Sequence, residues 1–206
     1  RQMHSIPVGL EAIPPGKFYY WAGLLQENRD LLRLGGEDER PWRRGWRGSF
    51  GFERGINRRL SVAAWASTML IDDRRYSTLE GSVRTAIGRT LAELTGSIQS
   101  NGGTATRLLW SGQFNQTYVT VESLLAHGGY RSDRVLLGLT GLHSVMLDVS
   151  PRIAGLVLPL HVEARYRQQA SGNDRLEAAG RVSANWRNLS LSSELEWSRA
   201  VAATGP

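Results

Sequence analysis

The four histidines are the side chains best suited to acid–base catalysis or metal binding in this sequence. Their spacing favours neither function. His4, His127, His143 and His161 are far apart along the chain, and there is no cysteine. No histidine pair has the spacing of a helical zinc site, and no nucleophile-elbow or phosphate-loop motif is present. The absence of cysteine excludes disulfides and thiolate metal sites. We therefore predict a protein that is not an enzyme and that has no metal or cofactor.

Charged side chains at every second position form the most specific polar pattern. In residues 158–167 they alternate with apolar side chains, and the same two-residue period recurs in 176–186 and 189–197. This period is typical of a strand with one polar and one apolar face, on which opposite charges of neighbouring strands pair. We predict that one charged face, lining a lumen, carries Arg84, Arg107, Glu122, His161, Glu163, Arg165, Arg167, Glu177, Arg181, Glu194 and Glu196, with Arg47, Glu53, Glu80 and Glu93 on the same side.

The runs that carry this pattern are about ten residues long. Soluble strands centre on about five or six residues, whereas a tilted strand that crosses a bilayer needs about 9–11. No stretch approaches the roughly 20 apolar residues of a membrane-spanning helix. The pattern predicts strands near 17–26, 45–54, 59–69, 76–87, 90–100, 104–114, 116–126, 134–143, 158–167, 176–186 and 189–197.

The predicted connections alternate in length. Those at 55–58, 88–89, 115–116 and 187–188 are short, whereas those at 71–75, 101–103, 127–133 and 169–174 are mostly longer and more polar. Outer-membrane barrels have tight periplasmic turns and longer outer loops in this order. Residues 144–155 are predicted to be a periplasmic link or an additional pair of short strands.

These patterns together predict an all-β fold: an antiparallel, up-and-down transmembrane β-barrel of about 10–12 strands, or a part of a larger barrel. Residues 1–206 would be a single barrel domain or barrel segment, with a leading extension at 1–16, strands over 17–198 and a tail at 199–206. The chain begins with Arg1 and shows no signal-peptide pattern, so we expect a mature chain or an excised segment.

Three alternatives share parts of the pattern. The apolar residues of 79–98 also fit a helical hairpin, although Gly81, Gly88 and Gly96 oppose it. A soluble β-sandwich or lipocalin-like binding module would show the same alternation with its apolar face turned inward. An outer-membrane barrel enzyme would need a catalytic cluster near its rim, which the sequence does not supply.

Basic and aromatic side chains interleave in residues 40–47, a composition that suits phosphate contact and base stacking. The chain as a whole has 25 Lys and Arg against 19 Asp and Glu, a formal charge of +6. Glu37, Asp38 and Glu39 directly precede the basic stretch. This mixed charge favours a polar surface loop, and we predict no nucleic-acid partner.

Several short segments resemble fimbrial outer-membrane ushers. In Ile13-Pro14-Pro15-Gly16-Lys17-Phe18-Tyr19-Tyr20 a proline-glycine turn leads into a tyrosine-bearing first strand, after Ile6-Pro7-Val8 and before Gly23. The segments that follow also resemble those of ushers in their order along the chain: Gly51-Phe52-Glu53-Arg54-Gly55, Leu60-Ser61-Val62-Ala63-Ala64, Leu79-Glu80-Gly81, Leu94-Thr95-Gly96-Ser97 and Gly129-Tyr130-Arg131-Ser132. The resemblance covers roughly residues 6–133. Usher-like barrels of large bacterial surface proteins match equally well.

The resemblance implies a barrel wall and its translocation lumen in the bacterial outer membrane. In that family a barrel passes pilus subunits across the membrane, so the implied partners are outer-membrane lipid, a secreted protein or pilus subunits, and other chains that complete the barrel. The sequence has no insertion that looks like the family's plug. The hypothesis is therefore an outer-membrane pore for protein translocation or secretion. What the resemblance implies is limited to the barrel wall and its lumen.

Overall fold

Eleven long strands form one antiparallel sheet in the computed structural model, which describes residues 13–27, 45–71, 74–132, 134–135, 138–153, 156–186 and 189–202. Each strand pairs with the next long strand along the chain. A separate two-stranded ribbon, β9 (Arg152–Ile153) and β10 (Leu156–Val157), lies in the connection after β8. The long strands are β1 (Phe18–Glu27), β2 (Gly45–Gly55), β3 (Leu60–Ile71), β4 (Arg74–Ile87), β5 (Thr90–Gln99), β6 (Thr104–Phe114), β7 (Thr117–His127), β8 (Leu139–Val149), β11 (Leu160–Gln169), β12 (Asn173–Trp186) and β13 (Leu189–Ala202).

The all-β, up-and-down prediction is confirmed, and most strand bounds agree within about three residues. β4 and β5 occupy the segment 79–98, so the helical alternative there is wrong. β8 was predicted at 134–143 and is found at Leu139–Val149, which shortens the link after it to 150–159. That link does contain a pair of short strands. β13 continues to Ala202, so four residues assigned to the tail belong to the sheet.

The connections follow the predicted alternation only in part. The link at 56–59 is as long as the one at 100–103, the link at 170–172 is shorter than both, and the link at 150–159 is long although it lies at the end of the tight turns. Gly88 and Asn115 take positive φ angles of 61° and 56° in their two-residue links, as tight hairpins require. The connection between β3 and β4 was predicted to be long. β3 ends at Ile71 and β4 begins at Arg74, so it is as short as the tight turns at the opposite end of the sheet.

The sheet has two faces of opposite character. The register places every predicted charged-ladder residue on one side, here called the charged face. The opposite side, the apolar face, carries side chains such as Leu79, Val83, Leu94 and Leu108, all of them exposed. Within the described long strands, acidic and arginine side chains occur on the apolar face only near strand ends, at Arg54, Arg75, Asp174 and Arg199.

The sheet is open in this structure. Among the described residues β1 pairs only with β2, and β13 pairs only with β12. Ten successive antiparallel steps separate the two edge strands, so β1 and β13 run in the same direction. No helix in the described part of the chain is long and apolar enough to cross a membrane.

Candidate functional site

A chain of ion pairs crosses the charged face from β2 to β7. Arg84 on β4 contacts Glu53 at 3.0 Å and Glu93 at 2.7 Å. Arg107 on β6 continues the chain, because its guanidinium lies 3.4 Å from Glu93 and also contacts Glu122 on β7. The network thus alternates acid and base in five residues, which span the six neighbouring strands from β2 to β7 with none of them on β3.

The strand register explains why these side chains meet. Arg84 lies directly opposite Glu93 on β5, and Thr95, two residues further, lies opposite Arg107. Ser61 donates a hydrogen bond to Glu53, and Thr95 donates one to Glu93. Glu93 is only 7% exposed and Glu122 8%. Carboxylates so far removed from water are costly unless they are paired, and both of them bond guanidinium groups here.

The connection between β7 and β8 folds back onto the charged face. Gln99 on β5 holds it through two hydrogen bonds, donating to the carbonyl of Arg131 at 2.8 Å and accepting from its amide at 3.0 Å. Asn101 donates a third bond to the carbonyl of Gly129. We call residues 128–138 the inward loop; 133, 136 and 137 lie outside the described residues.

The inward loop forms a hydrophobic cluster together with the strand residues that it covers. Tyr130 and Val135 pack against small and apolar side chains of the charged face, and Val135 is 1% exposed. Burial raises the pKa of the Tyr130 phenol, and the nearby Glu80 carboxylate raises it further. A hydrogen bond with Ser97 lowers this pKa, but by less. The loop therefore covers a largely polar sheet surface with a small apolar contact. The cluster comprises Ala105, Leu124, Ala126, Tyr130, Val135 and Leu142.

Arg134 joins the inward loop to the ion-pair network. Its guanidinium contacts both carboxylate oxygens of Glu122. Glu122 therefore binds Arg107 from the sheet and Arg134 from the loop at the same time. A bidentate, charge-assisted contact of this kind is stronger and more directional than a neutral hydrogen bond. Arg134 is the residue through which the network fixes the loop.

A second charged cluster lies on β11 and β12. Glu177 accepts contacts from Arg167 and Arg175, each at 3.2 Å, and Arg165 contacts Glu163 at 2.5 Å. Most of these side chains line an open cavity of about 630 Å³ that continues onto β13. The cavity is polar and carries both signs of charge, so it can hold water and polar groups.

The eleven predicted residues thus separate into four sets. Arg84, Arg107 and Glu122 meet in the first network; Glu163, Arg165, Arg167 and Glu177 meet in the second cluster. His161 is hydrogen-bonded to Asp148 at 2.7 Å, as expected for a structural histidine. Arg181, Glu194 and Glu196 share the same face but make no ion pair or side-chain hydrogen bond with the described residues.

Sequence analysis missed Arg134 and Arg175, which complete the two clusters. Arg175 has the same spacing as Glu177 and Arg181, so the period-two pattern could have included it. Arg134 was assigned to a strand, and nothing local in the sequence indicates that this segment folds back to Glu122. The basic stretch 40–44 lies outside the described residues.

One group of hydrogen-bonded polar side chains lies on the apolar face of β7, β8, β11 and β12. Ser123 and His143 are hydrogen-bonded at 2.9 Å, and the His143 ring stacks on Tyr166. Tyr166 donates in turn to Asp174. Among the described residues no group of three or more side chains could hold a metal ion.

Comparison with family models, with curated proteins and with solved structures finds no match to this chain. The resemblance to ushers therefore stays a prediction from short sequence segments.

Proposed function

We propose that this chain forms the wall of a bacterial outer-membrane β-barrel pore, with the apolar face toward lipid and the charged face toward a water-filled lumen. The observation that carries the proposal is the reversed distribution of polar and apolar side chains. Glu93 and Glu122 are nearly buried, whereas Leu79 is 58% exposed and Leu195 77%. A soluble sheet buries its apolar side and leaves charges in water.

The uncharged width of the apolar face suits a bilayer. On β4 the apolar-face positions from Ser77 to Ile87 carry no charged side chain. The next position on this face, before Ser77, is Arg75. Eleven residues of extended chain span about 33 Å, which at a strand tilt of about 40° is about 25 Å of height. Outer-membrane barrels present an apolar band of about that height to lipid.

The charged face would line the lumen and determine what passes. In a closed barrel the paired networks and the inward loop would leave a narrow, polar passage of mixed charge. Barrels of about eight strands are filled by their own side chains, whereas wide channels need about 16 or more. A wall of eleven strands therefore suits polar solutes or an extended polypeptide. Usher-like passage of a folded secreted protein or pilus subunit would require further strands or chains in the same barrel.

The proposal is tested with the full chain in plain buffer, in detergent and in lipid vesicles. We expect a β-type circular dichroism spectrum only with detergent or lipid, faster gel migration of the unboiled sample, and ion conductance across a planar bilayer. A stable β spectrum in plain buffer, with no migration shift, would contradict the proposal and favour a soluble all-β binding module. Insertion without conductance would retain the membrane wall and reject the pore.

A further inference from the structure

The two open edges of the sheet differ in chemistry. On the charged face, β13 presents Glu194 and Glu196. On the same face, β1 presents Tyr19 and Trp21, which lie opposite Glu53 and Gly51 of β2. The acidic edge of β13 therefore has no basic counterpart in the described side chains of β1.

The directions of the two edge strands also prevent them from pairing in an antiparallel manner. Because β1 and β13 run the same way, pairing them would create a parallel seam in an otherwise antiparallel sheet. The same holds for β13 of one copy beside β1 of a second copy in the same membrane orientation. Single-chain bacterial barrels have even strand numbers, which keeps every seam antiparallel. One more strand beside β13 restores that arrangement.

The edge carboxylates differ from the others on this face. Every described acidic side chain of the interior strands has a partner: for example, Glu80 accepts a hydrogen bond from Ser97 and Glu163 contacts Arg165. Glu194 and Glu196 have none among the described residues. Arg181 lies opposite Glu194 in register but makes no ion pair with it, and Glu196 lies opposite Ala179. A strand added beyond β13 would bring its own side chains next to both carboxylates.

We propose that the free edge of β13 is an interaction surface for one additional strand of defined chemistry. That strand runs antiparallel to β13, places Arg or Lys beside Glu194 and Glu196 on the charged face, and places apolar side chains on the apolar face. An exposed strand edge pairs readily with such a segment through its backbone, while alternate side chains give the specificity. The inference rests on the proposed function, since it describes how the barrel wall continues.

The first test compares two fluorescent peptides of about ten residues, one alternating leucine with arginine and the other alternating leucine with glutamate. Binding to the full chain in an uncharged detergent is measured by anisotropy, with empty micelles as the blank. We expect the arginine peptide to bind about tenfold tighter or more, since charge-assisted pairs discriminate at about this level. Equal affinities would overturn the proposal.

Matched variants locate the binding. Glu196→Gln should reduce the preference for the arginine peptide to about threefold or less, whereas Glu80→Gln should leave it unchanged. Both changes remove one carboxylate from the charged face, but Glu80 lies on the interior strand β4. A loss of preference that is equal in both variants, or absent in Glu196→Gln, would contradict an edge site.

A third measurement tests direct closure. Because the chain has no cysteine, cysteine at Leu195 can be combined in turn with cysteine at Phe18, Tyr20 and Leu24 and then oxidised. A crosslink within one chain or between two copies would show that β13 pairs with β1 and would overturn the proposal; we expect none. Vesicle flotation of the same protein distinguishes failure of the membrane-wall proposal from failure of the strand proposal. A chain that floats but binds neither peptide would retain the membrane wall and lose the additional strand.

Discussion

At the scale of single residues, Glu122 determines how the charged face and the inward loop are joined. It binds Arg107 from the sheet and Arg134 from the loop, and it is 8% exposed. A carboxylate in this position cannot exchange its partners for water contacts at low cost. Its two guanidinium partners therefore stabilise both the lateral order of the strands and the position of the loop.

Val182 and Ser183 are neighbours on opposite faces of β12, and they test the assignment of those faces. Val182→Arg should weaken membrane insertion by about 2–4 kcal/mol, because it places a charge on the face proposed to contact lipid, near the middle of its uncharged stretch. Ser183→Arg should be tolerated, because this side chain points to the charged face. Folding titrations into lipid vesicles measure both variants. Equal losses at the two positions would contradict the assignment.

Gly51 lies on β2 where two tryptophans leave no room for a side chain. A Cβ atom there would lie 2.5 Å from Trp21 and 2.5 Å from Trp65. Gly51→Ala should therefore destabilise the sheet by about 1–3 kcal/mol through overpacking. Urea unfolding in detergent or lipid checks the value.

Gly96 provides the matched control for Gly51. It lies on the apolar face of β5, and a Cβ atom added there would have no neighbouring atom within 4 Å. Gly96→Ala should leave the free energy of unfolding nearly unchanged. A comparable loss in both variants would show that the two tryptophans are not the cause.

At the scale of elements, the inward loop distinguishes this sheet from a plain meander. Arg134→Gln should open the loop and expose Tyr130, which is buried in this structure. Losing a charge-assisted contact of about 1–3 kcal/mol should accelerate chymotrypsin cleavage after Tyr130 by about tenfold. Time courses of limited proteolysis on the folded protein measure the effect.

Arg131→Gln controls for the loss of a loop arginine, because Arg131 binds Gln99 through its backbone rather than its guanidinium. Its cleavage rate should match that of the unmodified chain. If Arg134→Gln also cleaves at the unmodified rate, Arg134 does not hold the loop.

The sequence predicted strands best where the two faces differ most in polarity. On β12 the charged face carries Glu177 and Arg181 against Leu176 and Val182, so the period-two pattern is plain. On β8 it fails, because Leu142 and Met146 lie on the charged face and make both sides apolar. The inward loop was missed for a different reason. Val135 packs against strand residues distant in sequence, and local periodicity contains no information on such contacts.

At the scale of the whole molecule, the proposed function depends on one continuous sheet with sides of opposite polarity. The eleven strands and their register are properties of the fold, and they place the predicted charged residues on one side. The proposed function assigns the apolar side to lipid and the charged side to the lumen, and the further inference assigns the free edge of β13 to one additional strand.

The proposed contact of the apolar face with lipid can be tested on single positions of β4. Single cysteines at each position from Thr78 to Thr85 are labelled with an environment-sensitive fluorophore in this cysteine-free chain and reconstituted with brominated lipids. We predict quenching with a two-residue period, strong at Leu79, Gly81 and Val83 and weak at Thr78, Glu80 and Ser82. Absent quenching, or quenching of the opposite set, would contradict the placement of the apolar face against lipid.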